Sequence, residues 1–189
     1  GITSTATTVC TGTTITFTAG FPINGGSTPV YQWQVNGIDI AGQTGTTFST
    51  STLNNNDVVT LQLTSNATCA SPNPVISNGI MVTINPDAAI VLSAGNDNQQ
   101  LCINTALTNI TYSITGGGTG GTVTGLPPGV AGIYNAGNFV ISGTPTGAGT
   151  YNYTISTTGT CTQTSIGGTI TVNGNATLSH SSGSVNQSV

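Results

Sequence analysis

The chain has no lysine, no arginine and no glutamate. Its side-chain carboxylates are Asp39, Asp57, Asp87 and Asp97, its single histidine is His180, and its formal charge is −4. Contacts to nucleic-acid phosphates come mainly from Lys and Arg, so no nucleic-acid partner is expected. Attachment to an anionic membrane surface is excluded for the same reason. Every trypsin site is missing too, which suits a surface exposed to proteases. Long apolar runs are also lacking. None approaches the roughly 20 residues of a spanning helix, so membrane insertion is not expected. There is no leader at Gly1, and the chain reads as a mature or excised segment.

The same shortages bear on chemistry. General acid–base catalysis needs His, Glu, Asp or Lys within reach of a substrate. Here the four aspartates are scattered over turns and linkers, where Asp caps backbone groups. His180 aligns with Leu92 of an internal repeat and is read as incidental. The many Ser and Thr have no activating base. No catalytic residue, no cofactor and no enzymatic activity are expected. A zinc site would need closely spaced Cys or His ligands, which are absent. Asp87 and the trio Asn96, Asp97 and Asn98 offer calcium at most one carboxylate each, whereas calcium takes about 6–8 oxygens, usually with several carboxylates. Turn capping is therefore expected there, and calcium is not.

Thr, Val, Ile and Gly are plentiful, as suits short strands joined by tight turns. The organising stretch runs from Leu126 to Ile155. Val140 and Ile141 form a strand stopped at Gly143 and Pro145. Tyr151, Tyr153 and Ile155 then share one face of a second strand, because side chains alternate with period two. In the first half, Thr14–Thr18 alternates. So does Tyr31–Val35, which turns Tyr31, Trp33 and Val35 inward and Gln32 and Gln34 outward, ahead of an Asn36-Gly37 hairpin turn. Thr46–Thr50 is a further strand. Val59, Leu61 and Leu63 form an inward face, and Met81–Ile84 closes the unit. In the second half the strands are Ile90–Ser93, Leu107–Ile114 and Ile170–Val172, with Gly116–Gly121 read as a loop. Seven or so short strands per half is the pattern of an immunoglobulin-like sandwich.

Two offsets reveal an internal repeat. Cys10 and Cys69 are 59 positions apart, as are Cys102 and Cys161, and each pair recurs after 92 positions. The run Gly79–Asn85 matches Gly167–Asn173 at an offset of 88, and Asn98–Leu101 matches Asn186–Val189 at the same offset. The expected fold is all-β: two tandem immunoglobulin-like antiparallel β-sandwiches over 1–86 and 87–174, with 175–189 as the first strand of a further repeat. Trp33, Tyr31, Tyr151 and Tyr153 are expected in the cores. Tyr134, in an Asn/Gly-rich stretch, is the aromatic expected at the surface.

Four cysteines allow three pairings. The matched spacing favours Cys10–Cys69 and Cys102–Cys161, each stabilising its sandwich by roughly 4 kcal/mol in the chain-entropy model, in an oxidising extracellular setting.

Two sets of residues carry a family resemblance. The first is Val9, Cys10 and Gly12, then Tyr31, Trp33, Val35, Asn36 and Gly37, then Leu53, Asn56, Asp57 and Val59, then Thr64–Ala67 and Cys69. The second is Ile114–Thr119, Gly125–Val130, Ile141–Thr146, Gly149 and Tyr151. Together they resemble the tandem Ig/PKD-like repeats of giant (SprB-like) cell-surface gliding adhesins of Bacteroidota. The resemblance covers nearly the whole chain. It implies type IX secretion, a cell-surface location, and a structural and adhesive segment of a long fibre used in gliding motility. The implied partners are neighbouring repeats of the same chain and a surface polysaccharide or substratum. The alternative reading is a self-assembling filament subunit. In it, residues 175–189, with Leu178, Val185 and Val189, add as a strand to a neighbouring chain.

Overall fold

The structure, a computed structural model, describes residues 1–176. Among them it is all strand and turn, with no helix. The strands are β1 (Ile2–Ser4), β2 (Thr8–Cys10), β3 (Ile15–Ala19), β4 (Val30–Val35), β5 (Ile38–Asp39), β6 (Thr47–Thr50), β7 (Val58–Thr64), β8 (Val75–Ile76), β9 (Ile80–Met81) and β10 (Thr83–Asn85). They continue with β11 (Ala88–Ala94), β12 (Asn98–Cys102), β13 (Ile110–Gly116), β14 (Gly118–Thr124), β15 (Val130–Asn135), β16 (Asn138–Gly143), β17 (Gly149–Gly159) and β18 (Ser165–Asn173). Two compact units form. Unit 1 is Gly1–Ala88 together with Gly116–Gly118 and Gly159–Gln163, and unit 2 takes the rest of the later chain.

In unit 1, one sheet has the order β1-β3-β6 and the other β5-β4-β7-β8, with β9 also on β7. Alternation places Phe17, Trp33, Phe48, Val59 and Leu61 between them, all buried. Phe17 and Phe48 face each other across β3 and β6. With Trp33 they make an aromatic cluster whose ring centroids lie 5.8–6.3 Å apart, in the range where such pairs attract. The indole N–H of Trp33 donates to Gly45 O at 2.9 Å, so its one polar atom is satisfied. Gln34, expected outward, is on the opposite face from Trp33 yet is buried. Its amide donates to Asp39 at 2.8 Å and accepts from Thr60 at 3.3 Å, so neighbours on β5 and β7 cover it.

The expected strand over Met81–Ile84 is broken in two. β9 pairs antiparallel with β7, whereas β10 pairs in parallel with β2. Val82 lies at the crossover and is fully buried, while Met81 is exposed. The crossover is pinned by Asp57, whose backbone O accepts from Val82 N at 2.9 Å. The Asp57 carboxylate accepts from Asn36 Nδ2 at 2.8 Å and Asn54 N at 2.7 Å. Asn36 Oδ1 in turn accepts from Val58 N at 3.0 Å. The Asn54–Asp57 turn and the Asn36-Gly37 hairpin are thus tied together through one carboxylate.

Unit 2 has the sheets β11-β13-β16-β15 and β12-β18-β17-β14. Tyr112, Phe139, Ile141, Tyr153, Ile155 and Ile170 fill its core. The Tyr112 and Tyr153 hydroxyls are 2.8 Å apart, and Tyr153 Oη also donates to Asp97 O at 3.3 Å. Burial holds both phenols protonated well above their usual range. Two stretches differ from expectation. Gly116–Gly121 is mostly strand, because Gly116, at positive φ, lets β13 turn sharply into β14. The Asn/Gly-rich stretch at Tyr134 is β15. It hairpins onto β16 through Asn135 and Asn138, with Ala136 and Gly137 both at positive φ.

Candidate structural centre: the Cys10–Cys161 cross-link

No described cluster of three or more His, Cys, Asp or Glu side chains offers a metal cage, and the chemistry the cysteines carry is covalent. Each repeat opens with a split first strand. In unit 1, β1 pairs antiparallel with β3, and β2 then pairs in parallel with β10. In unit 2, β11 and β12 divide the same task, β12 lying parallel to β18. Cys10 and Cys102 are the last residues of these second segments. They sit opposite Asn85 and Asn173 respectively. The turns that follow match bond for bond. Thr13 N donates to Cys10 O and Thr105 N to Cys102 O, both at 3.1 Å. Thr11 N donates to Asn85 O at 3.0 Å and Ile103 N to Asn173 O at 2.9 Å. Gly12 and Asn104 supply the positive φ each turn requires.

Cys69 and Cys161 occupy the loops from β7 to β8 and from β17 to β18. These loops lie at the other end of each sandwich, so the expected pairs Cys10–Cys69 and Cys102–Cys161 do not form. Strand β7 runs from the Met81 end, at Val58, to the Val75 end, at Leu63. Cys10 lies beyond the first end and Cys69 beyond the second. The seven residues of β7 alone span about 20 Å at ~3.3 Å per residue, against a Cα–Cα reach of about 4.4–6.8 Å for a disulfide. In unit 2 the nine residues of β18, about 30 Å long, separate Cys102 from Cys161.

The bond that does form is Cys10–Cys161, with Cα atoms 5.5 Å apart and a sequence separation of 151. It joins the first-strand cysteine of one sequence repeat to the loop cysteine of the following repeat, and both partners belong to unit 1. Cys69 and Cys102 are free and exposed.

The loop around Cys161 is held to the segment Asn85–Ala88. Cys161 Sγ lies 3.6 Å from Asn85 O. Thr162 N donates to Asp87 Oδ1 at 3.1 Å, and Ala88 N donates to Thr162 O at 2.9 Å. Gly116 and Gly117 complete the enclosure: a Cβ on either would strike the carbonyls of Asp87 and Pro86. Asp87, read from sequence as a linker capping residue, therefore caps a loop of the following repeat. The signal for the true pairing was the position of Cys10 directly before the Ile15–Ala19 strand, which places it at a sandwich end.

Of the aromatics expected inside, Trp33 and Tyr153 are buried, while Tyr31 and Tyr151 are half-buried against their cores. Tyr134, expected at the surface, is half-buried against the core of unit 2 because it lies on β15. Leu178, Val185, Val189 and His180 lie outside the described residues.

No protein-family model and no curated protein matches this chain. Solved structures do match in fold. An I-band fragment of titin is 11% identical, with a TM-score of 0.56, 88% of this chain covered and 62% of that one. The immunoglobulin domains 1–5 of Sidekick-1 are 8% identical at a TM-score of 0.54, covering 91% and 39%. The insect immune protein hemolin, whose domain arrangement is described as bearing on homophilic adhesion, is 14% identical at 0.51, covering 89% and 44%. The chain spans less than two thirds of the length of each. Its fold is the tandem immunoglobulin-like β-sandwich.

Proposed function

We propose that this chain is a structural and adhesive segment of a long extracellular surface fibre, organised as immunoglobulin-like repeats over 1–86 and 87–174 with a further repeat beginning at 175. In this reading it is not an enzyme. It holds a binding tip away from the cell, or it offers many weak polar contacts whose avidity sums along the fibre. The finer assignment, to a gliding adhesin exported by type IX secretion, rests on the resemblance of the repeat motifs. The observation that carries the proposal is the Cys10–Cys161 bond. A disulfide from one repeat to the next needs an oxidising compartment and has its main use in a chain that must keep its length under load. A surface without cations suits a fibre that must not collapse onto anionic cell surfaces.

The strand-addition reading finds no support in unit 1. Both first-strand places there are taken by the chain's own β1 and β2, so a donor strand would have to add at another edge, β5, β6 or β8.

The test is immunogold labelling of intact cells with an antibody raised against this chain, together with its mass on reducing, denaturing gels. Labelling along extended surface filaments and a band of hundreds of kilodaltons are expected. Labelling that appears only after permeabilisation would overturn the extracellular fibre.

A further inference from the structure

Cys69 and Cys102 stand where the two halves of the observed disulfide stand in the other repeat. Cys102 shares with Cys10 the strand partner, the turn hydrogen bonds and the positive-φ residue that follows. Cys69 shares with Cys161 its place between the two strands β7 and β8 or β17 and β18, and Ala67-Thr68-Cys69 parallels Gly159-Thr160-Cys161. We propose that Cys69 and Cys102 are the open ends of a head-to-tail disulfide ladder. Cys102 bonds the loop cysteine of a following repeat of this kind, and Cys69 bonds the first-strand cysteine of a preceding one.

The surroundings of both thiols fit that occupant. The segment that clamps the Cys161 loop, Asn85-Pro86-Asp87-Ala88, recurs beside Cys102 as Asn173-Gly174-Asn175-Ala176. Asn175 offers a side-chain oxygen in the role of Asp87, and Ala176 an N–H in the role of Ala88. At the other end, Cys69 lines a cleft of about 220 Å³ together with Ile23, Leu63 and Val75. Phe21 and Ile23 stand almost wholly exposed beside it, at 101% and 92%. The corresponding end of the second repeat, Gly116–Gly118 and Gly159–Gln163, is itself part of unit 1. By that equivalence, the end of the first repeat bearing Phe21, Ile23 and Cys69 is the face that receives a preceding repeat.

Because the two faces differ, the contact is heterologous and does not close on itself, which generates a linear array. Each bond forms by thiolate exchange with a small-molecule disulfide. The two cysteines lose two protons and two electrons, and one disulfide of the oxidant becomes two thiols.

This inference deepens the fibre reading and rests on it for the supply of neighbouring repeats, but two copies of this chain suffice to test it. The purified chain, with Cys10–Cys161 formed, is incubated with oxidised glutathione. Non-reducing gels should show a ladder, and peptide mass spectrometry should find Cys69 joined to Cys102. Cys69→Ser alone and Cys102→Ser alone should each stay monomeric, and an equimolar mixture should give one heterodimer. Both sites are exposed, so the variants should melt with the wild type. Cys69–Cys69 or Cys102–Cys102 homodimers, a bond between Cys69 and Cys102 of one chain, or no dimer in the mixture would each overturn the ladder. None of these results moves the surface-labelling test, so the two failures remain distinct.

Discussion

Removing the Cys10–Cys161 bond should change the mechanics of the chain more than any other single substitution. With the bond intact, a load applied at the two termini passes from Gly1 to Cys10, crosses the sulfurs, and leaves along residues 161–189. The residues between the cysteines carry none of it. A separation of 151 residues at about 3.5 Å each hides roughly 530 Å of contour length. The residues outside the bond contribute only about 130 Å on the same scale. In single-molecule force spectroscopy with handles at both ends, the oxidised chain should therefore release no more than that short length, from β1, β2 and β18 outside the bond, and none of the length between the cysteines. Cys10→Ser should add roughly 530 Å in discrete unfolding steps. At equilibrium the same variant should lose about 5 kcal/mol in the chain-entropy model for a loop of this size, read as a fall in denaturant midpoint together with a rise in m, because the unfolded chain without the cross-link is more expanded. Equal contour release from the oxidised chain and the variant would show that the bond does not bear the load, and the argument would fail.

Four further outcomes follow from the geometry. Asp57→Ala strands the Asn36 amide and Asn54 N–H near a buried turn, and should cost about 2 kcal/mol, read by chemical denaturation; an unchanged midpoint would remove the carboxylate from the account. The phenols of Tyr112 and Tyr153 keep their protons in the folded state above the pH at which the unfolded chain releases them, so stability should be flat below about pH 10. Above it, stability should fall by about 1.4 kcal/mol per pH unit for each group, and alkaline melts of the double Phe variant lacking that slope would confirm the source. Tyr153→Phe alone should cost more than the double replacement, because it leaves the buried Tyr112 hydroxyl unpaired; a thermal-melt series ranks the two. Gly116→Ala puts a Cβ against Asp87 O at positive φ and should lower the melting temperature of unit 1 by several degrees, since about 1 kcal/mol moves a small domain about 4–8 °C.

The all-β sandwich was legible because alternation is a local signal. Tyr31 to Val35 and Tyr151 to Ile155 each declare a buried face without reference to any partner, and Asn36-Gly37 declares a turn. Where the sequence misled, a tertiary constraint acted against local composition. Gly116–Gly121 is rich in glycine and reads as loop, yet from Gly118 onward it is strand β14 because β17 pairs beside it. Tyr134 lies among Asn and Gly that suit a loop, yet those residues are the hairpin turn of β15 onto β16 and leave Tyr134 against the core. Met81–Ile84 reads as one strand because nothing local marks the crossover. That crossover comes from two different strands, β7 and β2, claiming successive residues.

The cysteines misled for a different reason, one inherent to repeats. In a periodic chain, equal spacing within each repeat is produced equally by bonds inside repeats and by bonds from each repeat to the next. In both cases every repeat carries one cysteine at its first strand and one in its late loop. Spacing therefore cannot choose between them, and only the placement of strands can. Once Cys10 is at the end of β2 beside Asn85 and Cys69 is past the far end of β7, a strand length of about 20 Å decides the matter against the intra-repeat bond. The two arrangements have opposite consequences. A bond within a sandwich staples one fold and leaves the linker to carry tension. A bond from one repeat to the next takes the linker out of the load path and makes the length of the array independent of whether any one sandwich is folded. An array built the second way resists extension through covalent bonds, so its sandwiches need only marginal stability, which suits a chain whose cores are small and whose surface has no cations to form ion pairs.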